Sequence, residues 1–393
     1  MANQGVGAGA QAMRRHNVAL LMEMIARSAP ISRVELARRA GLTKATVSSL
    51  VAELIQAELV RDLGPEPGGA PGRPAGRLML DPYGPVAIGL QFAPDHIAGI
   101  LLDLSGRQIA RDLRRFGLDT VSPTDGVHAA RPVLRRLFDE ATTAGRLVAG
   151  VGLAVSGTVS ARSDSAGTVA YSPALGWSEV DARALVNAEL HALGLHGLDV
   201  RLDSEVACAA HAEYRAGAGG DWYYLGGEES LGLVPVSPGS VLAGEFGHVP
   251  VRPRGPRCFC GERGCLRLYA EPAAIARSAG LPERSGSRLL GGDEPLIGQL
   301  RAAEPAAVRA VHQAADAVAS GLVPVRALLA PEVIVLGGRL ASLGEVFWNR
   351  LHARLPDGIT LRQAKLGPDA ALRGAAAKVI GAVIADPLAW IDG

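Results

Sequence analysis

Between residues 64 and 77 the chain reads GPEPGGAPGRPAGR, five glycines and four prolines in one short stretch. Proline removes backbone donors and glycine adds conformational freedom, so neither a helix nor a central strand runs through it. The fold has to divide there, and the chain has a different texture on each side. With 393 residues, 48% of them apolar, the protein is also too long for one ordinary core, so two or three buried units are expected.

On the N-terminal side, Val18, Leu21, Met22 and Ile25 recur at helical spacing and predict an amphipathic helix over 12–27, stopped by Pro30. Ser32 caps a second helix, SRVELARRA, which Gly41 ends, and Thr43 caps a third. In the third, Val47, Leu50, Val51 and Leu54 form a buried stripe that leaves Lys44, Ala45, Ser48 and Ser49 on the other side. Two short helices joined through a glycine turn, the second opening with small polar and basic residues, make a helix-turn-helix suited to the major groove. A helical hairpin in a core gives the same pattern. Charge adds a modest asymmetry: residues 1–80 carry 10 Lys+Arg against 6 Asp+Glu, net +4, which leaves 30 against 33, net −3, for the rest. Thr43, Lys44, Thr46, Ser48 and Ser49 are the candidate base and phosphate contacts. Arg73, between Gly72 and Pro74, is a candidate for a minor groove, although a solvated tether fits the same residues.

From residue 86 short β-rich runs (VAIGLQ, IAGILLDLSG, LVAGVGLAV, VIVLGG) alternate with helical stretches near 125–145, 180–194, 205–217, 306–329 and 371–386. Such alternation predicts an α/β architecture of layered sheets in two lobes. The expected division is a winged helix-turn-helix over 1–63, a Gly/Pro-rich linker and wing strand over 64–82, and an effector and oligomerisation domain over 83–393. No apolar run is long enough for a membrane span, and the N-terminus lacks a signal-peptide core, so a cytoplasmic protein is expected.

Three of the four cysteines fall in HVPVRPRGPRCFCGERGC, residues 248–265. His248, Cys258, Cys260 and Cys265 supply one imidazole and three thiolates, a full tetrahedral shell for zinc with no open position for a catalytic water. Reduced, buried thiols are the plainer alternative, and Cys208 is left over to pack in the interior.

The run GEFGHVPVRPRGPRCFCGERGCLRLYA resembles the signature of the ROK family of bacterial sugar kinases and sugar-responsive repressors. The resemblance extends over nearly all of the chain. It takes in RRHNVALLMEMIARSAPISRVELARRAGLTKATVSSLVAELIQAELV, the GRP of the linker, SPALGW at 172–177 and VIVLGG at 333–338, and it points to the repressor branch. It implies a two-lobed, actin-like (ribonuclease H-like) C-terminal domain, a structural Zn2+ on His248, Cys258, Cys260 and Cys265, and a homodimer or tetramer bound to a double-stranded DNA operator.

The family's kinase residues are poorly matched. Where its kinases carry Asp-x-Gly-Gly-Thr, this chain has Gln91, Phe92, Ala93, Pro94 and Asp95, and GGEESLGL at 226–233 puts Glu228 and Glu229 into the second phosphate loop. Ser204 and Glu205 replace the Asn-Asp pair whose aspartate is the catalytic base, Ala174 replaces an asparagine, and Arg267 replaces a glutamate. Glu245 and His248 survive from the hydroxyl-binding set, so Glu245, His248, Ser204 and Glu205 are the candidate effector residues. Each has a structural alternative: Glu245 pairing with Arg252 or Arg254, His248 serving the metal alone, Glu205 acting as the first acid of its helix. The expectation is a non-enzymatic transcription regulator, a repressor in carbohydrate metabolism that senses a sugar-like or other small metabolite. A sugar kinase with a DNA-binding head and an effector-independent DNA-binding protein stay open as rivals.

Overall fold

The computed structural model describes residues 4–64, 76–160, 162, 167–217, 220–237, 245–282 and 295–391. The head consists of helices Gln4–Ser28, Arg33–Ala40 and Lys44–Gln56, with strands Ile31–Ser32, Val60–Asp62 and Arg77–Leu80. Strand Arg77–Leu80 lies between the other two and pairs antiparallel with both, forming the wing. The capping chemistry is local. Ser32 Oγ accepts from Glu35 N at 3.2 Å, Gly41 closes its helix at φ 66, and Thr43 Oγ1 accepts from Thr46 N at 3.1 Å. The first helix starts earlier than the expected residue 12, because the preceding GVGAGAQA holds no proline to end a helix outright and the apolar stripe marks only its packed part.

The first lobe is built on a five-stranded sheet ordered Asp199–Ser204, Val148–Val155, Val86–Ala93, His96–Asp103, Gln108–Arg115. The last three form an antiparallel meander, and the first two add in parallel. Strand Val86–Ala93 is buried along its whole length, which is why it reads as an apolar run without alternation. Val86, Ile88, Leu90 and Phe92 face helices Arg131–Thr143 and Ala182–Ala192, while Ala87 faces helix Ala370–Ala385. The helix expected over 125–145 is two, Pro123–His128 and Arg131–Thr143, because Pro132 lacks the amide that would continue the first and instead opens the second. A small antiparallel sheet, Thr158–Val159, Thr168–Ser172 and Trp177–Asp181, flanks this lobe.

The second lobe holds a four-stranded sheet ordered Gly232–Val236, Trp222–Gly226, Val333–Leu336, Thr360–Gln363, packed on helices Pro305–Leu329 and Gly344–His352. Between the lobes, helix Glu205–Arg215 crosses helix Ala370–Ala385 so closely that a Cβ on Gly374 would lie 1.8 Å from the Cys208 carbonyl oxygen. Cys208 is buried at this crossing, and burial pushes its thiol pKa up.

The head is continuous with the first lobe. Val18, Leu21, Met22 and Ile25 belong to the same apolar cluster as Ile380, Val383, Ile384 and Leu388, and Arg15 pairs with Asp386 at 3.1 Å. No described helix is long and apolar enough to cross a membrane.

Candidate functional site

The third head helix presents the polar face that its sequence foretells. Val47, Leu50, Val51 and Leu54 are buried, whereas Thr43, Lys44, Ser48 and Ser49 are exposed and Thr46 is half-buried. Thr43 and Thr46 are partly committed to each other, their hydroxyls 2.9 Å apart. Lys44 is exposed and enters no ion pair among the described residues. The guanidinium groups of Arg38 and Arg39 close on Glu35 at 2.6 Å and hold its carboxyl down at about 2. That internal pairing lowers the head's free positive charge, a detail composition does not reveal. Arg73 lies outside the described residues.

Between the lobes opens a cavity of about 560 Å³ whose lining includes Ser204, Glu245, His248 and Arg267. Glu245 sits at the head of a short 3-10 turn, Phe246–His248, that aims it back at the first lobe. Its Oε1 accepts from Thr158 Oγ1 at 2.7 Å and its Oε2 lies 3.1 Å from His248 Nε2. Neither Arg252 nor Arg254 is its partner, since Arg252 stacks on Tyr269 instead, 4.6 Å from the ring centre. Arg267 and Ala174 both line the cavity. Arg267 grips Glu271 through Nε at 2.9 Å and Nη2 at 2.7 Å, and its guanidinium stacks 4.2 Å from the Phe259 ring centre. Burial pushes the Glu271 carboxyl up to about 7 against the pull of Arg267.

Glu271, Thr158 and Phe259 went unnoticed in the sequence. Glu271 was findable as the i+4 partner of Arg267, while Thr158 carries no local signal. Trp177 is core: it is almost fully buried and tilts against Phe92 at 5.8 Å. Glu205 does not line the cavity, and its carboxylate is turned to the backbone of the turn at 228–230.

At the cleft's rim the ligand atoms of His248, Cys258, Cys260 and Cys265 all lie within 4.8 Å of one another. The His248 Nδ1–Cys258 Sγ and Cys260 Sγ–Cys265 Sγ separations are both 3.6 Å. Zinc–sulfur bonds of about 2.3 Å place sulfurs about 3.8 Å apart in a tetrahedron, so the donor set fits that ion. Gly264 at φ 66 is required here, because a Cβ would lie 1.6 Å from the Arg252 carbonyl oxygen. His248 thus points Nδ1 at the thiols and Nε2 at Glu245, the arrangement by which a carboxylate fixes a ligating imidazole.

A winged helix-turn-helix joined to an actin-like, two-lobed domain defines the class. Residues 16–69 match the MarR family and residues 235–382 the ROK family, so the chain carries a ROK domain behind a MarR-type head. It is 23% identical to the xylose repressor of Bacillus subtilis (strain 168) over 94% of this chain and 96% of that one. The glucokinase of Streptomyces coelicolor is 27% identical, over 53% of this chain and 69% of that protein. The crystal structure of a ROK family transcriptional regulator, homolog of the E. coli MLC protein, superposes with a TM-score of 0.76 at 21% identity, covering 97% of this chain and all of that one.

Proposed function

We propose that this protein is a DNA-binding transcription regulator, acting as a repressor, whose ROK domain senses a sugar-like metabolite and transfers no phosphate. The reading is carried by the shared core of head and first lobe: the helix bearing Val18 and Ile25 packs on the helix that crosses between the lobes, so a change in lobe angle moves the DNA-reading helix. Repressor relatives that match along nearly the whole chain support it.

In this reading Lys44, Ser48 and Ser49, with Thr43 and Thr46, meet bases and phosphates, and Arg73 enters a minor groove. A homodimer, or a pair of dimers, sets two such helices on half-sites about one helical turn apart. Glu245, His248 and Ser204 meet the effector's hydroxyls, and Arg267 with Phe259 narrows the choice. His248, Cys258, Cys260 and Cys265 hold a structural Zn2+, which supplies folding energy and no reaction chemistry. A cytoplasmic location fits this reading, because metal-binding thiols and a DNA partner both suit a reducing compartment.

Genome-wide mapping of bound DNA tests the regulator, and bound sites beside carbohydrate genes are expected. A coupled ATPase assay over hexoses and N-acetylhexosamines separates it from a kinase, and turnover there sinks the non-enzymatic reading. If no sugar shifts melting temperature or operator affinity, the sensing role fails.

A further inference from the structure

Helix Glu205–Arg215 opens on a buried carboxylate whose bonds run away from its own helix. A single oxygen, Glu205 Oε1, accepts from three successive amides, those of Glu228 at 3.2 Å, Glu229 at 3.0 Å and Ser230 at 3.1 Å. The Ser230 hydroxyl adds a fourth bond at 3.3 Å. The amide of Ala207, in the helix's first turn, is served by Ser204 Oγ at 3.2 Å, so the helix end does not account for Glu205. Consecutive backbone amides converging on one point form an anion nest, the device by which glycine-rich loops hold phosphate. Gly227 lets the turn curl this tightly, with φ 141 and room for no side chain: a Cβ there would lie 1.8 Å from the Ser230 carbonyl oxygen.

We infer that the turn 227–230 is an anion-binding site permanently filled by the Glu205 carboxylate, which fastens the helix between the lobes to the second lobe and keeps phosphate out. A phosphate oxygen would compete for the same donors and would also meet the neighbouring Glu228 carboxylate. The far end of the helix repeats the device. Glu213, buried, accepts from Lys365 N at 2.9 and 3.0 Å and from Leu366 N at 2.7 Å, just past the second-lobe strand Thr360–Gln363. Two internal carboxylates therefore tie one helix to two turns of that lobe. The inference rests on the bonds between Glu205 and this turn and not on the proposed function, so loss of DNA binding would count against the regulator and leave the nest untouched.

Hydrogen exchange on the full chain tests it. In the native protein the amides of 228–230 should be protected although they lie in a turn, and inorganic phosphate should change neither their exchange nor the melting temperature. In Glu205→Ala they should exchange at least tenfold faster, and inorganic phosphate should restore protection and raise the melting temperature. Native amides exchanging like an open turn, phosphate binding to the native nest, or a variant that phosphate does not rescue would each overturn the inference. If Glu205→Ala fails to fold, Glu205→Gln keeps the size and a weaker acceptor; its amides should exchange at an intermediate rate, and unchanged exchange is the refuting result.

Discussion

Single side chains here act through the partners they are given. Lys44 stands without an ionic partner among the described residues at the start of the reading helix. Lys44→Ala should weaken operator binding and, if the contact is to a phosphate, reduce the salt slope by about one unit in titrations at several ionic strengths. Glu229 shows how burial sets a proton. Its carboxyl is pushed up to about 8, chiefly by burial; Arg339 opposes the rise, and Glu205 and Glu228 add to it. The folded state therefore keeps a proton that the unfolded chain has already released, so stability falls as pH climbs from the ordinary 4.5 towards about 8. Glu229→Gln should raise the melting temperature more at pH 8 than at pH 5, and an equal effect at both would contradict the assignment. Cys260 is the most exposed of the three clustered thiols. Cys260→Ser should lower bound zinc, measured by elemental analysis, and loosen residues 248–265 in hydrogen exchange, because ligand geometry there is also folding energy.

At the scale of elements, contacts between backbones decide more than side chains do. Helix Ala370–Ala385 approaches the first sheet so closely that a Cβ on Gly152 would lie 1.9 Å from the Ala375 carbonyl oxygen, and it crosses helix Glu205–Arg215 at Gly374. Gly374 lies mid-helix, where alanine is otherwise preferred, so only the crossing explains the glycine. Gly374→Ala should therefore destabilise by about 1–3 kcal/mol in chemical denaturation, against the sign that helix propensity gives, because Cys208 cannot retreat. The metal loop and the Glu205 turn obey the same logic, with Gly264 and Gly227 standing where backbone passes backbone.

The whole molecule is one mechanical unit with two working ends. The Gly/Pro-rich stretch divides the sequence, yet the apolar cluster runs across that division, from Val18 and Ile25 to Val383, Ile384 and Leu388. Head and first lobe should therefore melt together in calorimetry. Ile384→Asp, which buries a charge in the shared cluster, should split the head's transition from the rest and weaken any effect of a cleft ligand on DNA affinity. A variant that still melts in one step would show the coupling to lie elsewhere.

The amino-acid sequence by itself determined whatever is local. Periodicity placed the buried stripe of the reading helix, caps at Ser32 and Thr43 marked where the second and third head helices begin, and the spacing of His248, Cys258, Cys260 and Cys265 was enough to bring four donor atoms together, because neighbouring residues meet whatever the rest of the chain does. Only the tertiary structure decided which distant groups meet. Glu205 against the turn at 228–230, Glu213 against 365–366, Thr158 against Glu245 and the head helix against Ile384 are pairings between elements whose meeting depends on lobe geometry, and no spacing along a chain encodes that.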